Sequence, residues 1–214
     1  MRYSNSSLQT FDQCAAKWRF KYLAGLPDGS GAAADRGTQI HKGIENFFLH
    51  DADLPTEAGY FGQFLTGLKA TKFYAEKAIS VDKDWAVCQE NIPDEYIRGV
   101  LDLLVCSGDR VAVYDWKTGK IYPKHREQAA LYALLTFALY PEIPETTVHF
   151  VYLDQNKSVP YYFRRESAQL ERDRVVEKIK QIERAVEHDM FPAQPQFLCR
   201  YCNFSRANKG PCAF

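Results

Sequence analysis

The sequence predicts an α/β domain with a mixed central β-sheet flanked by helices. Two hairpins carry that expectation. "YIRGVLDLLVC" and "RVAVYDWK", joined through "SGDR", are the clearest strands, and "TVHFVYLD" and "VPYYFRR" read as a second hairpin around Gln155 and Asn156. Segments of helical periodicity lie before, between and after the hairpins, the pattern of a layered mixed domain. With 214 residues, 46% of them hydrophobic, the chain can build one domain, 1–214, around a real core.

The elements follow in order. "SNSSLQTFDQCAAKWRFKYL" reads as a helix: Ser6 with Gln9 fits a capping box, and Phe11, Cys14, Trp18 and Tyr22 recur at helical spacing. "LPDGSGAAADRG" reads as a Gly-rich loop. "TQIHKGIENFFLH" is a second helix, and a third runs from Glu57 to about Ala75. "EKAISV" and "WAVCQE" are strands, with Glu76 opening the first as a cap to the sheet. "HREQAALYALLTFALY" is a helix that stops at Pro141, which cannot continue it. "SAQLERDRVVEKIKQIERAVEH" is a long amphipathic helix with a solvated, charge-alternating face. The tail "FPAQPQFLCRYCNFSRANKGPCAF" is irregular and rich in cysteine.

Composition narrows the classes. No run of about eighteen apolar residues exists, so no membrane span is expected. The start lacks the apolar core of a secretory signal, so a cytoplasmic location is expected, with the six cysteines reduced or bound to metal. Lys plus Arg and Asp plus Glu both number 27. Any contact with nucleic acid must therefore come from a local patch and not from overall charge.

The first hairpin can be registered. With Gly108 and Asp109 as the loop of a type II′ turn, Ser107 faces Arg110, Leu104 faces Val113 and Asp102 faces Asp115. Opposed Cβ atoms sit roughly 4.5–5.5 Å apart, and bare like charges at that spacing destabilise a sheet. Lys117 stands one step further along the same face. A hard divalent cation, Mg²⁺ or Mn²⁺, would reverse the sign, because carboxylate oxygens are its preferred ligands. The plain alternative is a hairpin end at the surface, with Asp102 solvated and Asp115 paired to Lys117. The other face, Leu101, Leu103, Val105, Ala112, Tyr114 and Trp116, is apolar and belongs in a core.

"GVLDLL…VYDWKTGK" matches a G-x-x-D, then D-x-K pattern, and "QAALY" puts Gln128 and Tyr132 at i and i+4 of one helix face. "RGTQIHKGIENFF" carries His41, "SNSSLQTFDQCAAKWRFKYL" carries Cys14, and "CRYC…C" closes the chain. Together and in this order these segments resemble the PD-(D/E)XK nuclease superfamily. Within it they look most like its RecB-like single-domain branch: CRISPR-associated exonucleases, phage relatives and the AddB nuclease domain. The resemblance covers nearly the whole chain and implies a restriction-endonuclease-like core. It also implies a metal-dependent exonuclease acting on DNA ends or single strands, with a structure-specific endonuclease or a DNA-binding subunit of an integration complex as alternatives. Asp102, Asp115, His41 and the Trp116 carbonyl would hold the metal. Lys117 would orient water or neutralise the attacked phosphate, and Gln128 and Tyr132 would position its neighbours. Taken alone, His41 reads as a structural histidine and Tyr132 as core, while Glu45, one turn after His41, reads equally as a solvated carboxylate. A second copy of the chain, or a recombination or CRISPR-type protein, is the partner class implied.

The cysteines form a separate signal. Cys199 and Cys202 have a common metal-binding spacing, Cys212 adds a third ligand, and Cys14 is the natural fourth. The resemblance implies a [4Fe–4S] cluster joining the two ends of the chain. The nine residues between Cys202 and Cys212 exceed the usual gap, which keeps a four-cysteine Zn²⁺ site as the alternative. Cys88 and Cys106 read as core residues. Finally, "KWRFK", "KTGKIYPKHR", "YYFRR" and "CRYCNFSRANK" mix cations with aromatics, as single-strand binders do, although ordinary surface charge explains any one of them.

Overall fold

The computed structural model describes residues 1–29, 31–123 and 125–214, so Ser30 of the Gly-rich segment and Lys124 of a basic cluster lie outside the described residues. The chain divides into two units, Met1–Arg2 with Ala32–Arg172, and Tyr3–Gly31 with Asp173–Phe214. No described helix is long and apolar enough to cross a membrane.

The first unit is built on a six-stranded mixed sheet of order β2-β1-β3-β4-β5-β6. The strands are β1 (Lys72–Val81), β2 (Val87–Cys88), β3 (Ile97–Ser107), β4 (Arg110–Lys117), β5 (Glu145–Tyr152) and β6 (Lys157–Arg164). Only β4 and β5 run parallel. A parallel pair needs a crossover, and helix α5 (His125–Leu139) supplies it. The β3–β4 register is the expected one: Ser107 opposes Arg110 and Leu104 opposes Val113. Gly108 adopts φ +63 while Asp109 does not go positive, as a type II′ turn requires.

Helix α3 (Ala32–His50) covers one face of the sheet. Its start corrects the loop expected over residues 26–37, because the alanine-rich stretch is a strong helix former. Ile40, Ile44 and Phe48 pack with Leu103, Val105, Tyr114, Trp116 and Val151. The third helix is shorter than expected. A 3-10 turn (Thr56–Phe61) leads into α4 (Gly62–Lys69), and β1 already begins at Lys72. Helix α5 covers the other face. It is buried from Gln128 through Phe137, and Leu135 comes so close to Gly99 of β3 that a Cβ there would sit 2.4 Å from it. Cys88 and Cys106 are half-buried and not core; the Cys106 thiol lies 3.5 Å from the Tyr140 hydroxyl.

One buried carboxylate in this unit is structural. Glu95 is 5% exposed and accepts hydrogen bonds from Ser80 (2.6 Å), the Asn91 backbone N–H (2.9 Å) and Arg2 (3.1 Å). Burial alone would raise its pKa, but these donors outweigh burial and hold it below the usual value. A lowered folded-state pKa gives stability that is present above the unfolded pKa and lost as pH falls through the folded one. Glu95→Ala is expected to cost about 1–3 kcal/mol at neutral pH and to flatten the acid limb of stability. Denaturant melts from pH 3 to 7 check this, and an unchanged acid limb overturns it.

The second unit holds α1 (Asn5–Gln13), α2 (Ala15–Trp18), a π-helical turn (Arg19–Leu23) and the cysteine tail. Helix α6 (Ala168–Glu187) begins in the first unit and continues in this one. The N-cap is Ser4, not Ser6, and its capping box closes with Ser7. The single helix expected over residues 4–23 is interrupted at Cys14, whose backbone is extended (φ −168, ψ 114). Trp18 holds the segment, edge-on to Phe11 and stacked on Phe191 at 6.0 Å.

Candidate active site

The β3–β4 ladder ends at Leu103 opposite Tyr114, one pair before the two aspartates. β4 stays paired to β5 as far as Lys117 opposite Tyr152, so the strands part on the β3 side. The Trp116 N–H then has no backbone partner on β3, and Asp102 Oδ2 accepts it at 2.8 Å. This differs from the expected side-by-side aspartates. The two charges still interact, since Asp102 helps to raise the pKa of Asp115.

Asp115 is 2% exposed. Burial first, and then the Asp102 charge, push its pKa up to about 6 against the opposing pull of Lys117. Gln128 Nε2 donates to Asp115 Oδ1 at 3.0 Å, and its Oε1 accepts from Lys117 at 3.0 Å. Gln128 also hydrogen-bonds the buried Tyr132 hydroxyl at 2.9 Å. Burial raises Tyr132's pKa well above the usual value, so it stays neutral. The Lys117 ammonium lies 2.6 Å from Asp115 Oδ2 and 4.9 Å over the Phe150 ring. The Asp115–Lys117 pair of the plain reading therefore exists, but it is buried and bound into a network. Lys117 is the partner of Asp115 Oδ2, which is otherwise buried without a donor.

His41 projects from α3 with Nδ1 3.1 Å from Asp102 Oδ2. Burial would lower its pKa, but the Asp102 hydrogen bond, the charges of Asp102 and Asp115, and the Trp116 carbonyl together raise it. Glu76 completes the group. Each of His41, Glu76 and Asp102 offers a ligand atom within 4.8 Å of the others. Glu76 does not open a strand as a cap. It lies inside β1, where pairing with β3 skips from Ala75–Leu103 to Lys77–Leu101, and so stands opposite Asp102. Its φ is +49, a costly conformation for a residue with a Cβ. Leu103 packs toward α3 whereas Gly99 meets α5, so the alternation of β3 slips across this point. Burial, Asp102 and Glu45 raise the Glu76 pKa. Glu45 itself pairs with Lys42 at 2.7 Å.

A clamp lies next to the site. Arg36 of α3 donates to both oxygens of Asp154, at 3.1 and 2.8 Å, and Asp154 also accepts the Gly119 N–H at 2.9 Å. These bonds tie the segment after Lys117 to the helix that carries His41.

The donor set suits a divalent cation: carboxylates with one imidazole, beside the buried Asp115 carboxylate. The sequence matches the PD-(D/E)XK nuclease superfamily over residues 2–65 and 64–207. The chain belongs to that superfamily. This nuclease also shares its fold with a candidate exonuclease from Eubacterium rectale, at TM-score 0.56 and 12% identity over 96% of this chain and 87% of that one. Weaker likenesses are to SSO0001, at 0.49 and 14% identity over 95% and 83%, and to LHK-Exo in complex with dAMP, at 0.48 and 13% over 86% and 89%. No curated protein matches the sequence. Divalent metals and a DNA substrate go with this nuclease family.

In the nuclease's second unit, Cys14, Cys199, Cys202 and Cys212 line one cavity of about 180 Å³. The Gln196 N–H donates to the Cys199 sulfur at 3.3 Å, and the Gln196 side chain donates to the Gln13 carbonyl at 3.0 Å. Among the described residues, no three of these thiols close to within 4.8 Å of one another.

Proposed function

We propose that this nuclease is a divalent-metal-dependent DNA exonuclease acting on single strands or free ends, and that residues 1–214 work as one nuclease domain. The observation that carries the reading is the buried Asp115–Lys117–Gln128–Tyr132 network beside the His41–Glu76–Asp102 donor group. His41, Asp102, Asp115 and the Trp116 carbonyl, joined by Glu76, would hold the metal. The ion would supply activation of water and stabilisation of charge on the phosphate. The chain's own part is orientation. Gln128 fixes both Lys117 and Asp115, so the ammonium cannot drift to solvent, and Lys117 donates to the phosphate oxygens as their charge grows. The neutral Tyr132 hydroxyl keeps Gln128 in place.

Degradation of end-labelled linear single- and double-stranded DNA with Mg²⁺ or Mn²⁺, beside closed circles, tests the reading. Loss of linear DNA with circles intact supports it. Circles cut as readily as linear DNA would make the enzyme an endonuclease.

His41 gives a second test. Imidazole is softer than carboxylate, so a site containing it favours Mn²⁺ over Mg²⁺ more than an all-oxygen site would. His41→Ala is expected to weaken metal binding and activity, with part of the loss recovered at high Mn²⁺. Unchanged activity with both metals would return His41 to a structural role.

We further propose a [4Fe–4S] cluster at the four cysteines. Four cysteines lining one cavity supply the thiolate set that such a cluster needs.

A further inference from the structure

We propose that the turn Phe197–Tyr201 is a stacking platform for the bases of single-stranded DNA. The choice of DNA rests on the nuclease reading; the platform rests on the second unit alone. Phe197 and Tyr201 are 68% and 67% exposed, and two neighbouring exposed rings make a patch where a single one would carry no meaning. Their centroids lie 6.2 Å apart at 64°. The Arg200 guanidinium lies 3.3 Å from the Phe197 centroid and 4.8 Å from that of Tyr201, so two rings and a cation form one surface feature.

The feature is held in place. Asn208 donates to the Arg200 and Cys202 carbonyls, both at 3.0 Å, and the Cys199 N–H donates to the Gln196 carbonyl at 2.9 Å. A rigid turn bearing rings with few rotatable bonds loses little entropy when a ligand lands on it.

Charge identifies the partner. Residues 190–214 contain Arg200, Arg206 and Lys209 and no aspartate or glutamate. None of these three cations forms an ion pair among the described residues. Arg200 lies against both rings, and Arg206 and Lys209 follow in the same segment with no acid among them. Rings for π-faces with cations for phosphates is the combination that binds single strands without sequence preference. A duplex hides its base faces and could use only the cations.

The test is anisotropy of a labelled single-stranded oligonucleotide and of its duplex, with full-length Lys117→Ala protein so that nothing is cut. Phe197→Ala/Tyr201→Ala is expected to weaken single-strand binding at least about tenfold. Duplex affinity and the salt dependence should stay within twofold. Arg200→Ala should weaken both substrates and reduce the slope of log K against log salt by about one. Phe197→Leu/Tyr201→Leu keeps apolar surface without π-faces and should bind as poorly as the alanine pair. Single-strand binding by either double variant within twofold of the parent, or a parent that binds only duplex, overturns the platform. Failure of wild-type protein to cleave any DNA would overturn the nuclease reading and leave the binding result standing.

Discussion

Replacing Lys117 by alanine is expected to reduce DNA hydrolysis by about 10²–10³-fold or more while leaving substrate binding nearly unchanged. The reasoning is local. Lys117 is held by Asp115 at 2.6 Å and Gln128 at 3.0 Å, at the end of a strand that keeps its pairing with β5. Removing the side chain takes away a half-buried cation and little packing but leaves the buried Asp115 carboxyl without its partner, so the fold should persist with a lowered melting temperature. Asp115→Ala should abolish cleavage too, through loss of a metal ligand. Asp115→Asn separates function from stability. The folded-state pKa of Asp115 is raised from 3.8 to about 6, so ionising it costs stability progressively as pH rises through that interval. In metal-free protein at pH 7, Asp115→Asn is therefore expected to melt no lower than wild type, its gain limited by Lys117 losing a partner. Hydrolysis assays and melts in chelator check both halves. Wild-type cleavage by purified Lys117→Ala protein would remove this residue, and the site around it, from the chemistry.

How much of this was legible depended on whether a signal was local. The β3–β4 register was, because Gly108 sets the turn and alternation sets the faces; Leu103, Val105, Tyr114 and Trp116 all reach the expected core. Gln128 and Tyr132 were placed on one helix face by their i, i+4 spacing, and they share a hydrogen bond. Glu76 was not legible. Its role beside Asp102 depends on a positive φ within a strand and a skipped ladder pair, and neither leaves a trace in residue type. The reading of residues 57–75 as helix also concealed the start of β1, residues 72–75. The Arg36–Asp154–Gly119 clamp joins residues 118 and 35 positions apart, and no member is unusual in its own neighbourhood. Cys14 shows the limit from the other side. Its spacing with Phe11 and Trp18 is helical, and no glycine or proline marks the break, yet its backbone is extended and its thiol lines the cavity of the tail cysteines.

Replacing any one of Cys14, Cys199, Cys202 or Cys212 is expected to bleach a brown protein, lower its melting temperature and impair DNA degradation indirectly. The four proposed ligands are Cys14 and three residues from 199 onward, so joining them would close a loop of nearly the whole chain. In the chain-entropy treatment, a disulfide closing a loop of about a hundred residues contributes on the order of 4–5 kcal/mol, and a four-thiolate centre should restrain the unfolded chain at least as much. Beyond its local hydrogen bonds, the tail has little apolar packing. Phe197, Leu198 and Tyr201 are exposed, while Phe204 alone among its rings is fully buried. The backbone between Cys202 and Cys212 is ordered by Cys212 N–H to Phe204 O and Gly210 N–H to Ser205 O, both 2.8 Å. A Cβ at Gly210 would lie 2.2 Å from the Phe204 carbonyl carbon. Gly210→Ala should therefore displace the Cys212 thiol and reproduce the cysteine phenotype with every ligand still present. Cys88→Ser and Cys106→Ser should leave the colour unchanged. Iron and sulfide analysis with absorption spectra of protein purified without oxygen decides the matter. A colourless protein containing zinc would overturn the iron–sulfur assignment but keep the four ligands, and a stable, active Cys14→Ser protein that retained its metal would remove Cys14 from the set.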